Sequence, residues 1–123
     1  MLLNADQNII LERVRACAKE VRCYPRLDMF QACQLIGLDV DLYDAEALEI
    51  FIRTIPQALG RKINVNLAFT NDISFDEKWI IAVIEAVTRA DYDSVHFLIA
   101  STIDKRYQQQ TRQLCSALWK ITA

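Results

Sequence analysis

His96 is the only histidine in the chain, so any acid–base chemistry by an imidazole would have to use this residue. Asp93 precedes it by three positions and could orient the ring if both residues lie on one helix. A nucleophile would have to come from elsewhere, because the sequence contains no G-x-S-x-G motif. One hypothesis is therefore a small-molecule-binding protein, or a cofactor-free enzyme, with a pocket between helices that uses His96 and a cysteine.

The cysteines are the other side chains with reactive potential. No pair forms a C-x-x-C motif, and their spacing matches no zinc ribbon or zinc knuckle. The first residues lack the basic region and the long apolar run of a secretory signal, which predicts a cytoplasmic protein with reduced thiols. We expect neither a metal ion nor a cofactor, and we predict that the cysteines act as small hydrophobic core residues: Cys17, Cys23, Cys33 and Cys115.

Several other chemistries lack the residues they need. Glycine occurs only at Gly37 and Gly60, so neither of the common phosphate-binding glycine motifs can form. The acidic stretch 39–46 begins like a calcium-binding loop but lacks the required glycine and closing glutamate. The adjacent carboxylates Asp76 and Glu77 lie at a predicted helix start, where they indicate capping rather than catalysis.

The charge pattern contains two faces of opposite sign. The formal net charge of -2 provides no general attraction to nucleic acids or anionic membranes. Complementary faces on one chain permit self-association, and a further hypothesis is weak nucleic-acid binding through the last helix. The acidic face contains Asp39, Asp41, Asp44, Glu46 and Glu49. The basic, amide-rich face of the last helix contains Lys105, Arg106, Gln108, Gln109, Gln110, Arg112, Gln113 and Lys120.

The chain is unusually apolar for a small soluble domain, with a mean hydropathy of +0.10. The longest apolar run, residues 79–84, is too short to span a bilayer, so we expect no membrane insertion. Some apolar surface should therefore remain for a partner. Our main hypothesis is a non-catalytic helical protein–protein interaction module, a homodimer or an adaptor that offers an apolar helical face. The residues expected to contact the partner are Trp119, Lys105, Arg106 and Arg112.

These side chains must be positioned by helices. With 123 residues, 2 glycines and 2 prolines, the sequence predicts one mainly α domain over residues 1–123, a bundle of five or six helices. Ile10, Val14, Cys17 and Val21 form the apolar stripe of the first helix, and Arg15 is predicted on its solvent face. A second helix over residues 27–36 is expected to form a hairpin with the first.

The middle of the chain contains further helix signals and two stretches with a different pattern. A third helix is predicted over residues 45–59, with a kink or restart at Pro56. Ser74 and Glu77 have the spacing of a capping box, which predicts a central helix from Phe75 to Arg89. Two stretches alternate between apolar and polar residues and predict up to two short extended segments, residues 38–43 and 63–69. They would either pair as strands or form irregular crossovers packed onto the bundle.

Overall fold

The computed structural model describes residues 3–38 and 44–118, and these residues contain helices but no strand. The mainly α prediction is confirmed. None of the described helices combines the length and the apolar composition needed to cross a membrane. The helices are α1 (Ala5–Val21), α2 (Met29–Leu38), α3 (Asp44–Leu59), α4 (Phe75–Thr88), α5 (Tyr92–Thr102) and α6 (Gln108–Cys115), and a 3-10 turn, Lys105–Tyr107, precedes α6.

The starts of α1 and α4 are fixed by capping boxes. The N–H of Gln7 donates to the Asn4 side chain over 2.8 Å, and the N–H of Asn4 donates to the Gln7 side chain over 3.0 Å. In α4 the N–H of Glu77 donates to the Ser74 hydroxyl, as predicted, over 3.1 Å. These bonds satisfy backbone donors that have no partner inside the helix.

Helix α4 is largely buried and packs mainly against α5 and α1. It also contacts α3, where Trp79 stacks on Phe51 with ring centroids 6.4 Å apart. The predicted hairpin of the first two helices is wrong, because α2 packs mainly against α3 and α6. Met29 of α2 is fully buried, and its sulfur accepts a hydrogen bond from the Thr111 hydroxyl of α6 over 3.6 Å.

Helix α3 continues through Pro56 without interruption, although the sequence predicts a kink or a restart there. The neighbouring side chains Ile52, Ile55 and Ala58 are buried, and this packing outweighs the backbone hydrogen bond that proline cannot form. The helix ends at Leu59, and the next residue, Gly60, has a φ of +72°, in the left-handed region that glycine adopts readily.

The two extended segments have different outcomes. Leu38 belongs to α2, and residues 39–43 lie outside the described part of the chain. Residues 63–69 form an irregular crossover, in which Ile63 and Val65 pack against the core. The alternation ends at a turn, in which the Thr70 N–H donates to the Leu67 carbonyl over 3.3 Å. Residues 67–72 of this turn are exposed to solvent.

Candidate interaction site

A buried ion pair between α1 and α4 organises one side of the molecule. The Arg15 Nε donates to Glu77 Oε2 over 2.6 Å, and Nη2 donates to Oε1 over 3.2 Å. The sequence places Arg15 on the solvent face, which is wrong, since this residue is only 7% exposed and Glu77 is fully buried. A buried charge pair of this kind is stable only when its remaining donors and acceptors are also satisfied.

The same two side chains hold the irregular segment that precedes α4. Arg15 donates to the carbonyls of Thr70 and Asp72, both over 2.9 Å. Glu77 accepts from the N–H of Ser74 over 2.9 Å and from both the backbone and the side-chain nitrogen of Asn66 over 3.2 Å. Burial alone would raise the pKa of Glu77, but the hydrogen bonds and charge of Arg15 and the two backbone N–H groups hold it below its ordinary value.

The preceding carboxylate fastens the start of this segment. Asp76 accepts two hydrogen bonds of 2.7 Å from the Arg61 guanidinium and a third, also 2.7 Å, from the N–H of Asn64. The hydrogen bonds from Arg61 lower the pKa of Asp76 most, against an opposing effect of burial. Two adjacent carboxylates in the first turn of α4 therefore position residues 61–74, which we call the strap.

The tip of the strap presents Phe69 to solvent. This side chain is 99% exposed, and its neighbour Leu67 is 60% exposed. The φ of Phe69 is +67°, a left-handed conformation that is a genuine outlier for a bulky residue and costs roughly 1–2 kcal/mol. No contact of the exposed ring offsets this strain, so the conformation must be imposed by the hydrogen bonds around Arg15 and Glu77.

A furrow runs along α1 beside the strap. A pocket of about 670 Å³ between α1 and residues 65–73 meets a pocket of about 420 Å³ over α3, and Ala18, Arg22 and Val65 line both. Among the described residues, Glu12 is the only carboxylate that lines these two pockets. The cations that line them are Arg15, Lys19, Arg22, Arg26, Arg53 and Lys62, and we call this region the basic furrow.

The partner-contact residues predicted from the sequence lie in different surroundings. Lys105 and Arg106 are exposed in the 3-10 turn, with the Arg106 guanidinium 5.3 Å from the centre of the Tyr107 ring. Arg112 is half-buried in α6, and Trp119 lies outside the described residues. Gln113 belongs to the basic, amide-rich face predicted for the last helix. Its side chain donates to the Cys33 carbonyl over 3.1 Å and is therefore engaged within the protein.

His96 does line a pocket between helices, as the small-molecule hypothesis requires. This pocket has a volume of about 640 Å³ and is also lined by Arg112 and Cys115. Burial raises the pKa of the Cys115 thiol, so the sulfur stays protonated at neutral pH. The structure thus brings His96 and a cysteine to one pocket without providing a thiolate nucleophile.

The other cysteines differ in exposure. Cys33 is buried, as predicted, whereas Cys17 is half-buried and Cys23 is exposed, so the expectation of four core cysteines is wrong for Cys23. Burial, followed by the charges of Glu49 and Glu20, raises the pKa of Cys17 to about 12. In the described part of the chain, no three His, Cys, Asp or Glu side chains are grouped so that they could hold a metal ion.

Comparison of the chain with family models, with curated proteins and with solved structures yields no significant match.

Sequence reasoning missed Phe69 because its place in the alternating stretch assigned it to the apolar side facing the bundle. A signal was nevertheless present, since Thr70, Asn71 and Asp72 directly follow it and are typical turn residues. Arg15 had no comparable signal, because its partner lies 62 positions further along the chain.

Proposed function

We propose that this protein is a protein–protein interaction module that uses Phe69 as its anchor. The observation that carries the proposal is a phenylalanine 99% exposed and at positive φ, in a strap fixed by a buried ion pair. Burying such a ring in a partner contributes roughly 2–3 kcal/mol. Aromatic side chains in small pockets commonly provide most of the affinity of an interface.

The strap is suited to this role because it is already ordered before binding. Its carbonyls and amides are held by Arg15 of α1 and by Asp76 and Glu77 of α4. A partner would therefore gain the contact with Phe69 without the entropic cost of ordering a loop.

The charge beside the strap indicates the chemistry of the partner. Arg53 is engaged by the Pro25 carbonyl and Glu49, and Arg15 by Glu77, but the other cations of the basic furrow are exposed. An acidic segment with apolar residues would complement this surface. A single-stranded nucleic acid fits less well, because it needs several free aromatic faces and Tyr24 already has the Arg53 guanidinium 5.5 Å from its ring centre.

Photo-crosslinking tests the proposal without assuming the partner. p-Benzoylphenylalanine would replace Phe69 and, as a matched control, Phe97, which is 71% exposed on α5. We expect a discrete crosslinked product in cell lysate from position 69 and none from position 97. A product of twice the chain mass identifies a homodimer, and any other discrete mass identifies an adaptor. Equal or absent crosslinking at the two positions would contradict the proposal.

Substitution of the anchor gives the quantitative test on the crosslinked partner. Phe69→Gly removes the ring and also relieves the strained backbone, so the protein should remain folded. Loss of roughly 2–3 kcal/mol corresponds to a decrease in affinity of about 30-fold to 150-fold. Phe97→Ala should bind as the wild type does. Calorimetry on the purified pair measures both, and unchanged affinity of Phe69→Gly would refute the anchor.

A further inference from the structure

Arg112 is the one arginine of the described chain that is partly buried and has no ion pair. The other two arginines that are not exposed, Arg15 and Arg53, each form an ion pair, with Glu77 and Glu49 respectively. Arg112 is half-buried in α6, yet no carboxylate of the described residues lies within ion-pair distance of its guanidinium. Partial removal from water weakens the hydration of this cation, so an anion brought to it would be bound more strongly than at an exposed lysine or arginine.

The surroundings of Arg112 are those of a small-molecule site. It lines the 640 Å³ pocket between α5, α6 and the end of α4, a volume within the usual range for ligand pockets. Among the described residues that line the pocket there is no carboxylate, so none of them places a full negative charge beside a bound anion. Hydrogen-bonding groups such as Tyr92 and His96, and apolar walls formed by Val87 and Val95, are both present.

We infer that this pocket binds a small organic anion, a carboxylate or a phosphate monoester with an apolar body. The guanidinium of Arg112 would hold two oxygens of the charged group, since its planar fork matches both anions. His96 would donate a further hydrogen bond, and the walls formed by Val87 and Val95 would contact the apolar body. This inference does not depend on the proposed protein interaction, which uses a different part of the surface.

Because His96 is the single histidine, ligand binding to this pocket can be followed by proton NMR. The signal of its ring Hε1 proton reports ligand binding without residue-specific assignment. The probes are benzoate, phenyl phosphate and benzyl alcohol, which share an aromatic body but differ in charge. We expect a saturable shift with at least one of the two anions, which also distinguishes a carboxylate from a phosphate site, and none with benzyl alcohol.

Two variants separate this pocket from general attraction to cations. Arg112→Gln should weaken binding of the anion about tenfold or more, because it removes a charge-assisted hydrogen-bond pair. Arg106→Gln removes an exposed arginine from the adjacent turn and should leave the affinity unchanged. Absence of a saturable shift, an equal response to benzyl alcohol, or equal effects of the two substitutions would overturn the inference.

A measurement on the wild-type protein keeps the inference testable if Arg112→Gln fails to fold. The Nε–H resonance of Arg112 should shift in the same titration and with the same dissociation constant as the His96 signal. A His96 shift unaccompanied by a change at Arg112 would show that the anion is not held by the guanidinium.

Discussion

Glu77 has two structural roles, and only one of them can be predicted from the sequence. Its capping of α4 is predictable from Ser74, because both groups lie within one helical turn. Its ion pair with Arg15 is not predictable, because Arg15 reaches it only after α1 and α4 have packed. Local side-chain spacing thus predicts the start of α4 but not the ion pair that fixes the strap.

Replacing the buried carboxylate tests how much the strap contributes to folding. Glu77→Gln keeps the shape of the side chain but leaves the Arg15 guanidinium buried without a counter-charge. We expect the free energy of unfolding at pH 7 to fall by about 3–5 kcal/mol, the usual cost of breaking a buried pair. Urea denaturation followed by circular dichroism measures this value.

The matched control for Glu77→Gln is Asp93→Asn, which neutralises an exposed carboxylate on α5. It should change stability by less than about 0.5 kcal/mol. Similar small effects of both substitutions would mean that the ion pair does not stabilise the fold.

At the scale of elements, the turn between α4 and α5 depends on one residue in an unfavourable conformation. Ala90 has a φ of +57°, and the bonds from the Ala90 N–H to Val87 and from the Asp91 N–H to Ala86, 3.0 and 2.8 Å, form a Schellman motif. The position after a helix end usually holds glycine, because a Cβ is disfavoured there. Asp91 then caps α5 by accepting a hydrogen bond from the Ser94 N–H over 3.2 Å.

Ala90→Gly should therefore raise the free energy of unfolding by about 1 kcal/mol, since it relieves the left-handed strain. Ala100→Gly is the matched control, because the same change within α5 should lower stability by about 1 kcal/mol. Thermal and urea denaturation of the two variants give the signs directly. A lower stability of Ala90→Gly than of the wild type would contradict the role assigned to this turn.

Sequence periodicity predicted the helices well, because each depends on apolar residues and caps within a short stretch. It failed where packing between distant elements decides the outcome. Pro56 stays inside α3 because its neighbours are buried, and residues 63–69 leave their alternating pattern because the strap is bound to α1 and α4. The strap and its exposed tip are consequences of tertiary contacts.

At the scale of the whole molecule, charge connects elements that are distant in sequence. Asp76 and Glu77 join α4 to the strap, and Glu77 also joins α4 to α1 through its ion pair with Arg15. Both carboxylates are charged in the folded protein, and both have pKa values below their ordinary values of 3.8 and 4.5. Folding is therefore coupled to the loss of protons from the first turn of α4.

This coupling predicts how the protein unfolds in acid. A carboxylate whose pKa is lowered by folding contributes stability that is fully present above its ordinary pKa and is lost as the pH falls through the folded-state value. We expect the free energy of unfolding to be nearly constant from pH 7 to about 5 and then to decrease steeply. In Glu77→Gln the acid-dependent slope should be smaller by up to ~1.4 kcal/mol per pH unit, because one coupled proton is removed. Urea denaturation from pH 7 to 3 measures both slopes, and an unchanged slope in this variant would show that Glu77 is not charged in the folded state.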